Sequence, residues 1–325
     1  MKCTLAAQGR DLVVDRLRRG WHSGAIITLP TKSITAGVKG VAPIPEGSRP
    51  AERVAVVLPV FNQLEYTRGC VDSLAPDIAG GVELIVVNNG STDGTEAYLS
   101  SLRGAKVARN ESNLGCAKAW NQGVHLSTRE WTVILNNDVV VAPGWLEALV
   151  GFAGETGAEI VAPALREGPL NYPFQEYAAD FMRRMRGVQR WGEAHGICFM
   201  VHRRVFEAVG GFDENFRIGQ FEDADFFRRA RLAGVKMAMT GGAFLHHFGS
   251  VTQNAIREGP PSAGERAYYA ENRAYYLRKW GLNRLQRMGQ RWQRRSRNWR
   301  QRTAERLRHG HSLHEKWIGG RVRYF

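Results

Sequence analysis

Three polar clusters carry side chains from which chemistry could be built. Asn136-Asn137-Asp138 follows the run Trp131-Thr-Val-Ile-Leu135. Carboxylate and amide oxygens delivered together suit a hard divalent cation, Mg²⁺ or Mn²⁺, above all one shared with phosphates. Standing alone, the same triplet is better explained as a turn that caps the next element. Phe221-Glu222-Asp223-Ala-Asp225 opens a helical stretch with acids in its first turn. Such acids can compensate the helix dipole, a contribution of about 1 kcal/mol. They can equally provide a general base that takes the proton of an acceptor hydroxyl. His246-His247-Phe-Gly-Ser250 closes a short apolar stretch. Adjacent strand residues point to opposite faces, so one histidine of the pair is expected to enter a given site. The companion acids favour metal ligation by one of the two.

These clusters need elements to bring them together. Arg53 to Pro59 is a β-branched run of the kind buried on both faces. Helical spacing follows over Gln63 to Leu74, then a second buried strand over Val82 to Val87 that ends in Asn88-Asn-Gly-Ser-Thr-Asp-Gly94. A helix from Thr95, a weak strand at Lys106 to Ala108, a helix over Ala117 to Leu126, the strand Trp131 to Leu135 and a helix after Pro143 complete the alternation. The spacing predicts a mostly parallel sheet with helices on both faces. Ligands gather at the carboxyl ends of such strands, where the Asn88–Asp93 and Asn136–Asp138 clusters lie. Beyond this, residues 163–192 carry three prolines and the basic run Arg183 to Arg186, the pattern of a variable loop. A strand over 196–201, short helices over 203–209 and 222–233, and two short strands over 235–245 follow.

At 325 residues with 43% hydrophobic side chains, the chain can bury a substantial core. Its four cysteines are scattered without a CxxC pair, which disfavours a disulfide scaffold or a zinc ribbon. No apolar stretch approaches the roughly 20 residues of a membrane span, and acids and arginines interrupt the N-terminus early. A cytoplasmic protein is expected, with peripheral contact at the inner face of the membrane as an extension of that expectation. The net charge of +14 is uneven. Residues 284–325 hold 13 Lys and Arg against Glu305 and Glu315, a net +11, leaving +3 for the rest. Three regions are expected: an extension or linker over 1–50 without a legible role, a catalytic domain over 51–283, and a basic amphipathic helical tail over 284–325.

Together the motifs resemble glycosyltransferase family 2. Val57-Leu-Pro59-Val-Phe-Asn62 resembles its first strand and turn, and Val86-Val-Asn88-Asn89-Gly-Ser-Thr-Asp93-Gly-Thr95 its nucleotide loop. Asn113-Leu-Gly-Cys-Ala-Lys-Ala-Trp-Asn121-Gln-Gly123 resembles its Asn-x-Gly helix entry, and Leu135-Asn-Asn-Asp138 takes the place of its metal-binding acids. Gly210-Gly-Phe-Asp-Glu-Asn-Phe216 with Glu222-Asp223 resembles the acceptor-side segment, and His246 to Ser250 the closing metal-side motif. Order and spacing agree over roughly residues 53–280, including Glu271-Asn-Arg273. The resemblance implies a GT-A fold, a Rossmann-like mixed and mostly parallel α/β sheet, and inverting transfer from a UDP-, dTDP- or GDP-sugar to a hydroxyl of a glycan or lipid-linked saccharide. It implies Asp138 and His246 as metal ligands, with His247 the second choice, and Asp223 as base with Glu222 beside it. Asn88, Asn89 and Asp93 would border the nucleoside, and Asn113 and Asn121 the donor pocket, with Pro59, Asn62, Asn136 and Asn137 completing the donor set. The family often has an acid where Asn88 and Asn136 stand, which lowers the negative charge at the metal. The Asn-Asn-Asp and His-His-Phe-Gly-Ser pair resembles the bacterial rhamnosyltransferase-like branch.

In the tail, Leu285, Met288, Trp292, Ser296, Trp299, Thr303 and Leu307 recur at steps of three or four on an Arg-rich helix. Packing of this seam on the domain, contact with anionic lipid and contact with a nucleic-acid backbone compete, and lipid is ranked first. A transferase acting on nucleic acid and a catalytically silent binding module are the rival functions. A dehydrogenase is disfavoured because no GxGxxG follows a strand.

Overall fold

The computed structural model describes residues 49–258 and 268–325. The expectation for the N-terminal extension falls on residues 1–48 and so lies outside the described residues. From Pro50–Arg53, a single 3₁₀ turn, the chain enters β1 (Val54–Val60), α1 (Leu64–Ser73), α2 (Ala75–Ala79), β2 (Glu83–Asn89), α3 (Thr95–Ser101), β3 (Lys106–Asn110), α4 (Cys116–Leu126) and β4 (Trp131–Leu135). Then come β5 (Val139–Val141), α5 (Trp145–Thr156), β6 (Ile160–Glu167), α6 (Phe174–Met185), β7 (Gln189–Trp191), β8 (Cys198–His202), α7 (Arg203–Val209) and α8 (Glu222–Leu232). The remainder is β9 (Met237–His247), α9 (Val251–Glu258), α10 (Tyr268–Lys279), α11 (Arg284–His309), β10 (His314–Ile318) and β11 (Arg321–Tyr324).

One sheet runs in the order β11-β10-β6-β8-β4-β1-β2-β3, with β9 on the other edge of β6 and pairing also with β5 and β7. The pairs β4–β1, β1–β2 and β2–β3 are parallel. β8 runs antiparallel between β4 and β6. Alternation along β1 explains its burial. Val54, Val56 and Leu58 join a core with Trp145, Leu146 and Leu149 on one face, while Ala55 and Val57 join Trp120, Phe199 and Phe226 on the other. A strand that must satisfy two apolar layers has no room for polar side chains until it leaves the sheet. The carboxyl ends of β1, β2 and β4 therefore release their first polar residues along one rim. This is the α/β arrangement expected.

Three local expectations need correction. Residues 163–192 form no loop: they contain most of β6, then α6 and β7. Pro163 is accommodated because the β6–β9 register shifts between Pro163 and Ala164. The basic run is the last turn of α6, with Arg183 and Arg184 paired to Asp180. The two short strands expected over 235–245 are one strand, β9, and Gly241 within it is needed for packing. A Cβ there would lie 2.4 Å from the Met185 carbonyl oxygen.

The tail is helical only as far as His309. β10 and β11 make a hairpin across Gly319-Gly320, both at positive φ, and β10 adds in parallel to the carboxyl half of β6. Glu305, buried on α11, takes a bidentate pair from buried Arg190 at 2.8 and 2.7 Å. Ser312 bonds to both. The hairpin thus belongs to the catalytic sheet.

Candidate active site

The donor-side loops are tied together by their own amides. Asn62, at φ 54°, accepts the Thr92 N–H at 2.7 Å and the Asp93 N–H at 3.3 Å through its side-chain oxygen. Asp93 in turn accepts the N–H groups of Leu64 and Thr95. Asn88 accepts the Ser91 N–H and donates to Glu96 at 2.7 Å. Asn89 donates to Asn113 at 2.8 Å and accepts from Asn110 and the Leu114 N–H. Asn113 also caps the turn through the Gly115 N–H. Asn121 is buried. It both donates to the Phe212 carbonyl and accepts the Phe212 N–H, fixing the 212–214 segment to α4. Asn137 is buried and donates to the Thr67 hydroxyl at 3.0 Å. Pro59, the last residue but one of β1, pairs with Val87 and is half-buried. The side chain of Asn136 is half-buried at the carboxyl end of β4. Most of the amides expected around a donor therefore shape the loops, their polar atoms already used within the fold.

The acid side is built differently. Non-glycine residues at positive φ are uncommon, yet Ile218, Gln220 and Phe221 all adopt it immediately before α8. Asn272 holds this strained turn in place. It is 1% exposed, accepts the Arg217 N–H and donates toward the carbonyls of Arg217, Gly219 and Gln220. The turn delivers buried Glu222 and half-buried Asp223. Burial, then the neighbouring Asp223 carboxylate, pushes Glu222 above the usual carboxylate range. Burial likewise raises Asp223, against hydrogen bonds from the N–H groups of Ala224, Asp223 and Gly196. One Glu222 carboxyl oxygen is buried without a hydrogen-bond partner. Gly196 is the surface on which Asp223 rests: a Cβ there would lie 2.3 Å from its carboxyl oxygen.

Asp138 closes the other side, 3% exposed. Burial alone would raise its carboxyl; the hydrogen bond and charge of His247 and the Val251 N–H outweigh it and hold the group below the usual range. His247 Nε2 lies 3.3 Å from Asp138 Oδ2, and the Val251 N–H donates to the same oxygen at 3.0 Å. Of the two histidines, His247 is thus the one beside the Asp138 carboxylate. His246 turns to the opposite face of β9, where its Nδ1 meets the Tyr172 hydroxyl at 3.0 Å and its ring contacts Phe174 and Phe248. Burial and then His247 lower it to about 4, so it is neutral at ordinary pH. The register pairs His247 with Val139, and Asp138 lies just before β5, beside the His247 ring.

The two sides meet at Cys116, the first residue of α4. After burial, the carboxylates of Glu222, Asp223 and Asp138 are what raise its thiol, in that order. A Cβ at Gly219 would lie 3.2 Å from the Cys116 sulfur and 3.9 Å from Glu222 Oε1. Gly219 and Glu222 thus lie beside the start of α4, and the Asp138 carboxylate acts on the same thiol.

Among the described residues no cluster of three or more His, Cys, Asp or Glu is arranged to hold a metal. The pair present fits a partial site. Adjacent ligands of an octahedral ion lie about 3 Å apart, close to the 3.3 Å between His247 and Asp138. The Ser250 N–H donates to the same His247 nitrogen at 3.4 Å, a contact that would have to give way for that nitrogen to bind a metal. Gly196, Asn272 and Cys116 were not singled out from sequence. Asn272 lay within the noted motif Glu271-Asn-Arg273, and Cys116 within the motif Asn113 to Gly123.

A family model described as glycosyl transferase family 2 matches residues 55–210. An uncharacterised protein of Mycobacterium tuberculosis is 30% identical over 217 residues, covering 63% of this chain and 77% of that protein. The chain belongs to glycosyl transferase family 2. Two further relatives match over smaller parts of their length. An uncharacterised protein of Sinorhizobium fredii is 28% identical over 254 residues, 70% of this chain and 27% of its own. The pre-mycofactocin glycosyltransferase of M. tuberculosis is 28% identical over 212 residues, 62% of this chain and 44% of its own. The chain thus spans less than half the length of these two. The sheet described above is the GT-A glycosyltransferase fold, and the family match ends at the start of the acceptor-side segment, before α8 and β9.

Proposed function

We propose that this glycosyltransferase domain moves a sugar from a nucleoside diphosphate to an acceptor hydroxyl by a single, inverting displacement. The observation that supports the reading is that Gly219 packs between the Cys116 sulfur and Glu222, and that the carboxylates of Glu222, Asp223 and Asp138 all act on that buried thiol. Asp138 and His247 would hold a Mg²⁺ or Mn²⁺ ion, completed by the donor phosphates. The bound ion supplies Lewis-acid stabilisation of the negative charge that builds on the departing diphosphate. Asp223 accepts the acceptor's hydroxyl proton as that oxygen bonds to the sugar's anomeric carbon, while the carbon–phosphate oxygen bond breaks and its electrons leave with the nucleoside diphosphate. Gly196 and the turn clamped by Asn272 fix the direction from which the base works. Glu222 borders the acceptor. Asn136, half-buried at the end of β4, faces the donor side. A UDP-, dTDP- or GDP-sugar is the donor class, and the Asn136–Asp138 and His246–Ser250 motifs favour a deoxyhexosyl group of the rhamnosyl type. The acceptor is a glycan or lipid-linked saccharide. A silent binding module has no use for two carboxylates held above their ordinary range by burial, since each costs stability.

Thermal shift with UDP, dTDP and GDP and their sugars, with and without Mn²⁺, tests the two sides separately. Asp138→Ala should lose the Mn²⁺-dependent shift, whereas Asp223→Asn should keep it. An unchanged shift in Asp138→Ala would reject that residue's role.

A further inference from the structure

Four large apolar side chains on the seam of α11 do not pack on the domain. Met288, Trp292, Trp299 and Leu307 are 58%, 73%, 58% and 74% exposed. At about 100° per residue they share one arc roughly 100° wide. The opposite arc carries the attachments: Glu305 to Arg190, and Arg297 to Glu193 at 3.2 Å. Arg302 adds a hydrogen bond to the Tyr324 carbonyl. The helix is therefore held with its large apolar side chains outward. Its sequence over 284–309 contains ten arginines and one acid, Glu305, and that acid is committed to the buried pair. Exposed Arg300 and Arg306 border the arc on its two sides.

We infer that α11 is a docking helix for an anionic lipid surface, lying in the plane of the interface with Trp292 and Trp299 inserted at headgroup depth. Two features select this partner. The stripe is continuous and includes Met288 and Leu307, which can enter an acyl layer but offer no plane for stacking a base. The flanking guanidinium groups complement phosphate headgroups without removing the apolar face from the bilayer. Tryptophan suits the boundary because its ring is apolar and its N–H stays wet. The docking has a consequence at the active site, which rests on the reading of Asp223 as base. Glu193, held by Arg297, lies three residues before Gly196, against which Asp223 packs. The acceptor side of the transferase would then sit next to the lipid surface.

Co-sedimentation of the full chain with vesicles of phosphatidylcholine alone, or with phosphatidylglycerol added, tests this at physiological salt. Partition to the anionic vesicles is expected, with a blue shift of tryptophan emission, and little binding to phosphatidylcholine alone. The double variant Trp292→Ala/Trp299→Ala removes only exposed side chains and should lower the partition coefficient at least about tenfold while melting as the wild type does. No binding to anionic vesicles, or equal binding by the variant, overturns the inference. Two other outcomes also overturn it: retention of a single-stranded RNA oligonucleotide without vesicle binding assigns the helix to nucleic acid, and a tryptophan-dependent dimer assigns the stripe to a second copy. None of these readouts involves Asp223, so failure here leaves the proposed chemistry standing.

Discussion

The loops after β1 and β2 and the turn before α8 border the same site on opposite terms. In the first region nearly every polar atom has an internal partner, and the carboxylates there, Asp93 and Glu96, accept hydrogen bonds from within it. In the second, a strained backbone presents carboxylates whose environment opposes their charge. The difference separates shaping from reacting. A side chain that holds a loop must be satisfied before the substrate arrives, whereas one that takes a proton must have spare capacity. Asn272 joins the two, a fully used amide whose purpose is to hold the under-satisfied turn.

The largest expected effect breaks the reacting side alone. Asp223→Asn should lower the transfer rate by about 10²–10⁴-fold with a melting temperature no lower than the wild type's. The wild-type rate should fall with decreasing pH at values above the ordinary carboxylate range, because burial raises Asp223 and a protonated base cannot act. Full activity in the variant would remove Asp223 from its role. Next, Asn272→Ala should lose about 2–3 kcal/mol of stability in urea unfolding, through buried backbone groups left unpaired. It should also lose activity, since the 217–221 turn would relax; a stable, active variant would show that the turn holds itself.

Glu222→Gln should act in the opposite sense on stability. A carboxyl with a raised folded-state pKa binds its proton more tightly folded than unfolded, so its ionisation destabilises the protein at alkaline pH. The variant should melt above wild type there, with the gap closing as pH falls through the raised Glu222 pKa. A lower melting temperature at every pH would contradict the assigned burial cost. The smallest effect belongs to the satisfied side. Asn137→Ala should lose about 1 kcal/mol with the transfer rate kept within a few-fold. A collapse of activity would place Asn137 among the reacting groups and blur the comparison.

The alternation of strands and helices to α5, the sheet class and the polar clusters at strand ends were all legible in the chain, because a strand buried on both faces cannot hide its composition. The helix over residues 284–309 was equally legible from its three-and-four spacing. The closing hairpin also left a signal that went unread, a Gly319-Gly320 pair between short alternating runs. The abundance of arginine ahead of it favoured a continuous helix instead.

What the chain could not state alone was register and contact. That His247 rather than His246 lies beside Asp138 depends on how the end of β9 meets the turn before β5. That Gly196 is the surface beneath the Asp223 carboxylate, and that Asn272 clamps a turn some 50 positions away in sequence, depends on neighbours brought together only by folding. Composition and periodicity fix which elements form and which faces they bury, since these are local properties of side chains. The meeting of three carboxylates at one thiol is a long-range property, decided when the sheet, α4 and α8 pack.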